Sequence, residues 1–169
     1  MLLLDVNVCV HGVRPDTALN GAQIRGWLED ALNGHERVGV SDVVLASLVR
    51  LVTNSRMLPD PLTPADALVA AHALRGAPAS VWVSPTSKHW DIFAKLVSRH
   101  RLRVNDIPDA WLAALALDHG ATLVTLDPKI EDERLLALFL GMVVAMLLYV
   151  WLMMHRFRLA YAEAALEAK

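Results

Sequence analysis

Residues 2–8 read Leu2-Leu3-Leu4-Asp5-Val6-Asn7-Val8. An apolar run this short, broken by one carboxylate and then one amide, predicts a strand buried on both faces. Such strands belong to parallel sheets rather than to solvent-facing hairpins. A carboxylate there is costly to bury unless it emerges at the strand's end, is paired, or holds a metal. Asp5 is therefore the first candidate functional residue.

Working outward, periodicity gives alternating helices and strands. A loop over His11–Asp16 leads into a helix over Thr17–Asn33, ended by Asn33-Gly34, with apolar residues at helical spacing. Val38–Val40 predicts a second strand, and Ser41 or Asp42 can cap the helix Val43–Arg56 that follows. Thr63-Pro64-Ala65-Asp66 is a capping-box pattern with Pro at the first helical position, opening a helix to Leu74. Val81–Val83 predicts a third strand and Ser87–His100 another helix. After a polar loop over Arg101–Ile107, Asp109–His119 predicts a helix, and Ala121–Leu126 a second buried strand ending at Asp127-Pro128. This alternation implies an α/β domain with a mostly parallel sheet and helices on both faces.

The chain has 169 residues, enough for one domain, with 55% hydrophobic residues, a mean hydropathy of +0.38 and a net charge of −2. Residues 1–134 hold 13 Lys+Arg and 16 Asp+Glu, a charge of −3, so contact with nucleic acid has to use local basic patches. The densest is Ser98-Arg99-His100-Arg101-Leu102-Arg103. Arg99, Arg101 and Arg103 are candidate phosphate contacts with Arg50, although a solvated helix end explains the same run. Trp27, Trp82, Trp90 and Trp111 sit on predicted apolar faces and are read as core. Cys9 is the single cysteine, which excludes an intrachain disulfide and suits a reducing cytosol; in the first strand it reads as a small buried hydrophobe. The start lacks a basic n-region and a cleavage site, so no secretory signal is expected.

Ligands of open α/β sheets bind beyond the carboxyl ends of the strands, where the strand order reverses. Asp5 lies near the end of the first strand and Asp127 beyond the last. If these strands are neighbours, both carboxylates face one crevice, and Asp109 can lean over the same edge. Converging carboxylates repel one another unless a cation neutralises them. Hard oxygen donors favour Mg²⁺ or Mn²⁺, and no His or Cys pair has zinc-ligand spacing. Such an ion suits phosphodiester hydrolysis. Each residue also has a plainer reading: a strand-end carboxylate bound to amides for Asp5, a capping box for Asp109, a turn for Asp127.

The segments Leu3–Val8, Val49-Arg50-Leu51-Val52-Thr53-Asn54, Pro59–Pro64, Pro108-Asp109-Ala110-Trp111-Leu112-Ala113-Ala114-Leu115-Ala116 and Gly120–Asp127 together resemble PIN-domain toxins of the VapC type, in order and spacing, over about residues 1–128. The resemblance implies a PIN-like three-layer fold and a Mg²⁺-dependent endoribonuclease, usually dimeric and held inactive by a cognate antitoxin. It assigns metal binding to Asp5 and Asp109, with Asp127 as a third acidic position and Asn7 orienting the first Asp or a water.

Two departures accompany it. The family commonly carries a Glu on the helix after the second strand, but Val43–Arg56 has no carboxylate; Ser47 stands about there, and Asp42 is the nearest substitute. The second departure is residues 135–154, LLALFLGMVVAMLLYVWLMM, an uncharged stretch long enough as a helix to cross a bilayer, or else a helix buried in a core or an oligomer interface. The expected organisation is thus a PIN-like domain over 1–134, a C-terminal hydrophobic helix over 135–154 and a charged tail over 155–169. A cytoplasmic nuclease, with or without a membrane anchor, is one expectation. A catalytically weak binding or membrane-tethered module, or a fused or frameshifted product, is the other.

Overall fold

The chain divides into two units, Met1–Leu126 and Asp127–Lys169, and a computed structural model describes residues 1–126. Asp127 and residues 135–154, with the helix and membrane readings made for them, lie outside the described residues. Among those described, no helix is long and apolar enough to cross a membrane.

Four short strands, β1 (Leu2–Leu4), β2 (Val38–Val40), β3 (Ser80–Trp82) and β4 (Thr122–Val124), form one sheet of order β3-β2-β1-β4. Every pairing is parallel. The chain thus builds the sheet outward from β1 on one side, then returns to add β4 on the other. Leu3 and Leu4 are fully buried, as a central parallel strand requires.

The helices are α1 (Val6–Val13), α2 (Gly21–Asn33), α3 (Asp42–Val52), α4 (Pro64–Gly76), α5 (His89–His100) and α6 (Asp106–Asp118), with a 3₁₀ turn at Pro15–Thr17. Leu28 and Leu32 of α2, Leu48 and Val52 of α3, Leu74 of α4 and Leu112 and Leu115 of α6 join Leu3, Leu4, Val38 and Val40 in one core. The Thr63 cap forms as expected: its hydroxyl accepts from the Asp66 amide at 3.2 Å, and Pro64 opens α4.

The first strand is shorter than the apolar run suggests. It stops at Leu4; Asp5, extended at φ −86° and ψ 157°, caps α1, and the expected loop from His11 is helical to Val13. Valine is a mediocre helix former, so burial rather than propensity makes this helix. Val8, Cys9 and Gly12 face inward, and a Cβ on Gly12 would run into the Leu28 side chain. Gly12 is what lets α1 and α2 lie close together.

Cys9 is accordingly helical, not in a strand, though it is fully buried. Burial, with the Asp5 charge one turn away adding to it, pushes its thiol up to about 12. Native protein is therefore expected to resist iodoacetamide at pH 8 over hours, with stoichiometric alkylation after unfolding in guanidinium. Rapid labelling of the native chain, read by intact mass, would contradict the burial.

Three of the four tryptophans read as core differ from expectation. Trp111 packs against the core. Trp90 is 68% exposed and tilts against Phe93 at 5.5 Å, while Trp27 and Trp82 are also exposed. Trp82 carries the Arg75 guanidinium 4.5 Å above its ring, a cation–π contact rather than core packing.

Candidate active site

The strand order reverses between β1 and β4, and the site is built at the carboxyl ends of these two strands. Register extends the pairing Leu4↔Val124 by one residue, so Asp5 comes level with Thr125. The Asp5 amide donates to the Val124 carbonyl at 2.9 Å, fixing the backbone at this junction. Only 7% of Asp5 is exposed. Its carboxylate is held on both oxygens: Oδ1 accepts from the Val6 amide at 2.6 Å and Oδ2 from the Thr125 hydroxyl at 2.6 Å.

Asn7, in the first turn of α1, completes this arrangement. Its Nδ2 donates to Thr125 Oγ1 at 3.1 Å, and its Oδ1 accepts from the Leu126 amide at 3.1 Å. Asn7 therefore acts on Asp5 through Thr125. The chain Asn7–Thr125–Asp5 locks one carboxylate in one orientation at the sheet edge, and each Asp5 oxygen keeps a lone pair for a further ligand. Thr125 was not singled out from sequence. Its position two residues before Asp127, just beyond β4 (which is partly exposed rather than buried as expected), is the signal that could have found it.

Asp109 is exposed in the first turn of α6, which begins three residues earlier than the spacing suggests. The helix cap is Asn105, which makes no side-chain cap bond. Because α6 runs back along the sheet into β4, its first turn lies towards the edge where Asp5 emerges. Asp42 opens α3 directly beyond β2, one strand over, and is exposed. It lines a groove of about 260 Å³ between α3 and α4, with Leu45, Leu68, His72 and Arg75. Ser47, where the family's Glu is expected, is half-buried on α3. Among the described residues no three His, Cys, Asp or Glu side chains gather as a metal cage.

The basic candidates are all exposed. Arg50 is in the last turn of α3 and Arg99 in that of α5. Arg101 is left-handed at φ 53° and Val104 at φ 45°. A β-branched residue there is strained, and the strained loop presents Arg101 and Arg103 just ahead of α6.

Below this loop the α5–α6 hairpin is fastened by a second carboxylate. Asp118, whose side chain is 1% exposed, accepts from the Thr86 amide at 2.8 Å and the Thr86 hydroxyl at 2.6 Å. Burial raises its carboxyl, but Thr86 and the nearby His119 and His89 outweigh this and hold it below the ordinary range.

The reversal point of the parallel sheet thus carries a locked Asp, an Asn two residues on and a Thr just beyond the neighbouring strand. The PIN domain profile covers residues 2–133. The chain belongs to the PIN-domain family. Its PIN-domain relatives include the VapC ribonuclease Mb2897 of Mycobacterium bovis, 43% identical over 75% of this chain and 86% of that protein. Ribonuclease VapC37 of Mycobacterium tuberculosis is 36% identical over 75% of this chain and 88% of its own. These place the chain with the VapC-type PIN proteins. The fold is also that of VapBC2 from Rickettsia felis, solved with a promoter DNA fragment, at TM-score 0.55 and 20% identity over 78% of this chain and 91% of the other. VapBC-1 from nontypeable Haemophilus influenzae gives 0.54 at 17% identity over 80% and 92%.

Proposed function

We propose that this PIN-domain protein is a divalent-metal-dependent endoribonuclease, the toxin of a VapBC-type pair. The observation that carries the reading is the Asp5 carboxylate, buried and locked at the reversal point between β1 and β4 in a chain 43% identical to a VapC ribonuclease. The donors are hard oxygens: Asp5 and Asp109, Asp127 directly after Leu126, and Asp42 as a tentative fourth. This chemistry fits Mg²⁺, with Mn²⁺ as a substitute. When bound, such an ion lowers the pKa of a water and stabilises charge on the phosphodiester.

The chain's own residues supply the rest. Thr125 and Val6 hold Asp5 in one orientation, and Asn7 holds Thr125. Arg99, Arg101 and Arg103 draw the RNA backbone towards the first turn of α6, with Arg50 a more distant contact. A cognate antitoxin, a homodimer and a cytoplasmic setting complete the proposal.

Purified full-length protein is expected to cleave structured RNA with Mg²⁺, and to lose this in EDTA or on Asp109→Ala, by gel analysis of end-labelled RNA. Cleavage unchanged in EDTA sinks the metal dependence. A second reading, a weak binding module, is favoured by Ser47 standing where a Glu is expected. It predicts antitoxin capture with no cleavage at any Mg²⁺ or Mn²⁺ concentration.

A further inference from the structure

A second hydroxyl-bearing residue, Ser41, directly follows β2, the strand on the other side of β1 from β4 and Thr125. The β1–β2 pairing runs to Leu3↔Gly39, and Asp5 and Ser41 each stand two residues beyond it; the β1–β4 pairing runs to Leu4↔Val124, one residue short of Asp5 and Thr125. The two flanking residues differ in what their hydroxyls do. Thr125 donates to Asp5, whereas Ser41 Oγ is buried and has no hydrogen-bond partner among the described residues.

Ser41 is only 2% exposed. Its backbone has the extended geometry of a helix cap, φ −116° and ψ 153°, yet its side chain makes no cap bond to α3. Its carbonyl serves the helix instead, accepting from the Leu45 amide at 3.0 Å. A serine at a cap normally turns its oxygen onto the second or third helical amide. Burying the hydroxyl without that bond is destabilising, and such a group in a native protein points to a ligand or ordered water. A fully buried oxygen is reached by a water or a small ion, not by a phosphodiester.

We propose that Ser41 is a positioning residue of the Asp5 centre, its hydroxyl holding a water carried by the divalent cation. The inference rests on the metal reading given above, and it assigns the unpartnered oxygen a ligand of matching size. It also gives the chain a site contact from β2, in addition to those from β1 and β4.

The test is Mn²⁺ binding to the full-length protein by calorimetry, with melting of the metal-free forms alongside. Ser41→Ala is expected to bind Mn²⁺ roughly tenfold more weakly, while its metal-free melting temperature stays level or rises, since an unpaired buried oxygen has gone. Asp5→Asn is the reference for the centre itself. If the wild type takes up no Mn²⁺, or Asp5→Asn binds as the wild type does, the metal reading falls and Ser41 with it. If Asp5→Asn loses the ion but Ser41→Ala keeps full affinity, the Ser41 proposal alone falls. A lower metal-free melting temperature in Ser41→Ala with unchanged affinity marks a structural hydroxyl and also overturns it.

Discussion

Asp5→Asn is expected to slow RNA cleavage by about 10³-fold, corresponding to about 4 kcal/mol of lost transition-state stabilisation, while the fold survives. The two consequences separate because Asp5 has two jobs. As the cap of α1 it accepts from the Val6 amide, and an asparagine caps helices as well as an aspartate does. As a carboxylate it carries the charge that a hard cation needs, which an amide lacks. Asp5→Ala removes both, so it should add about 1 kcal/mol of destabilisation for the lost cap and remove the carboxylate to which the Thr125 hydroxyl now donates. Single-turnover cleavage rates and thermal melts of the two variants check this. An asparagine variant that cuts RNA within a few-fold of the wild type would remove Asp5 from the chemistry.

The largest effect expected on stability is at Leu48. It is fully buried in the middle of α3, within the core that includes Leu3 and Leu4 of β1. Truncation to alanine leaves a cavity, and such changes cost about 2–5 kcal/mol. For a chain of this size that lowers the melting temperature by about 4–20 °C. Calorimetry or circular dichroism reads the shift. A change of less than about 1 kcal/mol would mean that the core closes over the gap. Because Leu48 is a core residue and not itself a candidate ligand, cleavage measured well below the transition should stay close to that of the wild type.

The parallel sheet was legible because β1, β2 and β4 are short, apolar and separated by helical periods. Helix α1 was not, since Val6, Val8 and Val10 continue the apolar run of β1 with residues that favour strands. The boundary is set by Asp5 turning its carboxylate onto the next amide, a choice that composition does not reveal. Trp90 misled for a related reason. It shares an apolar period with Phe93 and Val97, but periodicity marks a face without saying what covers it.

The site divides the same way. Asp5 and the neighbouring end of β4 could be found from strand ends and the reversal rule. Ser41 could not, because hydroxyls have many ordinary uses, and Thr125 was marked only by its place two residues before Asp127. Only the strand order, with β1 between β4 and β2, sets their strands on either side of that of Asp5.

The bond between Thr125 and Asp5 joins residues 120 positions apart, and this gives the centre a history during synthesis. At roughly 5–20 residues per second, Asp5 is made some 6–24 s before its partner. Throughout that interval the nascent chain has the Asp5 carboxylate but neither a complete β4 nor the hydroxyl that aims it. A chain stopped before Thr125 therefore lacks the hydroxyl that holds Asp5 Oδ2, and its first carboxylate waits without the partner that fixes its orientation.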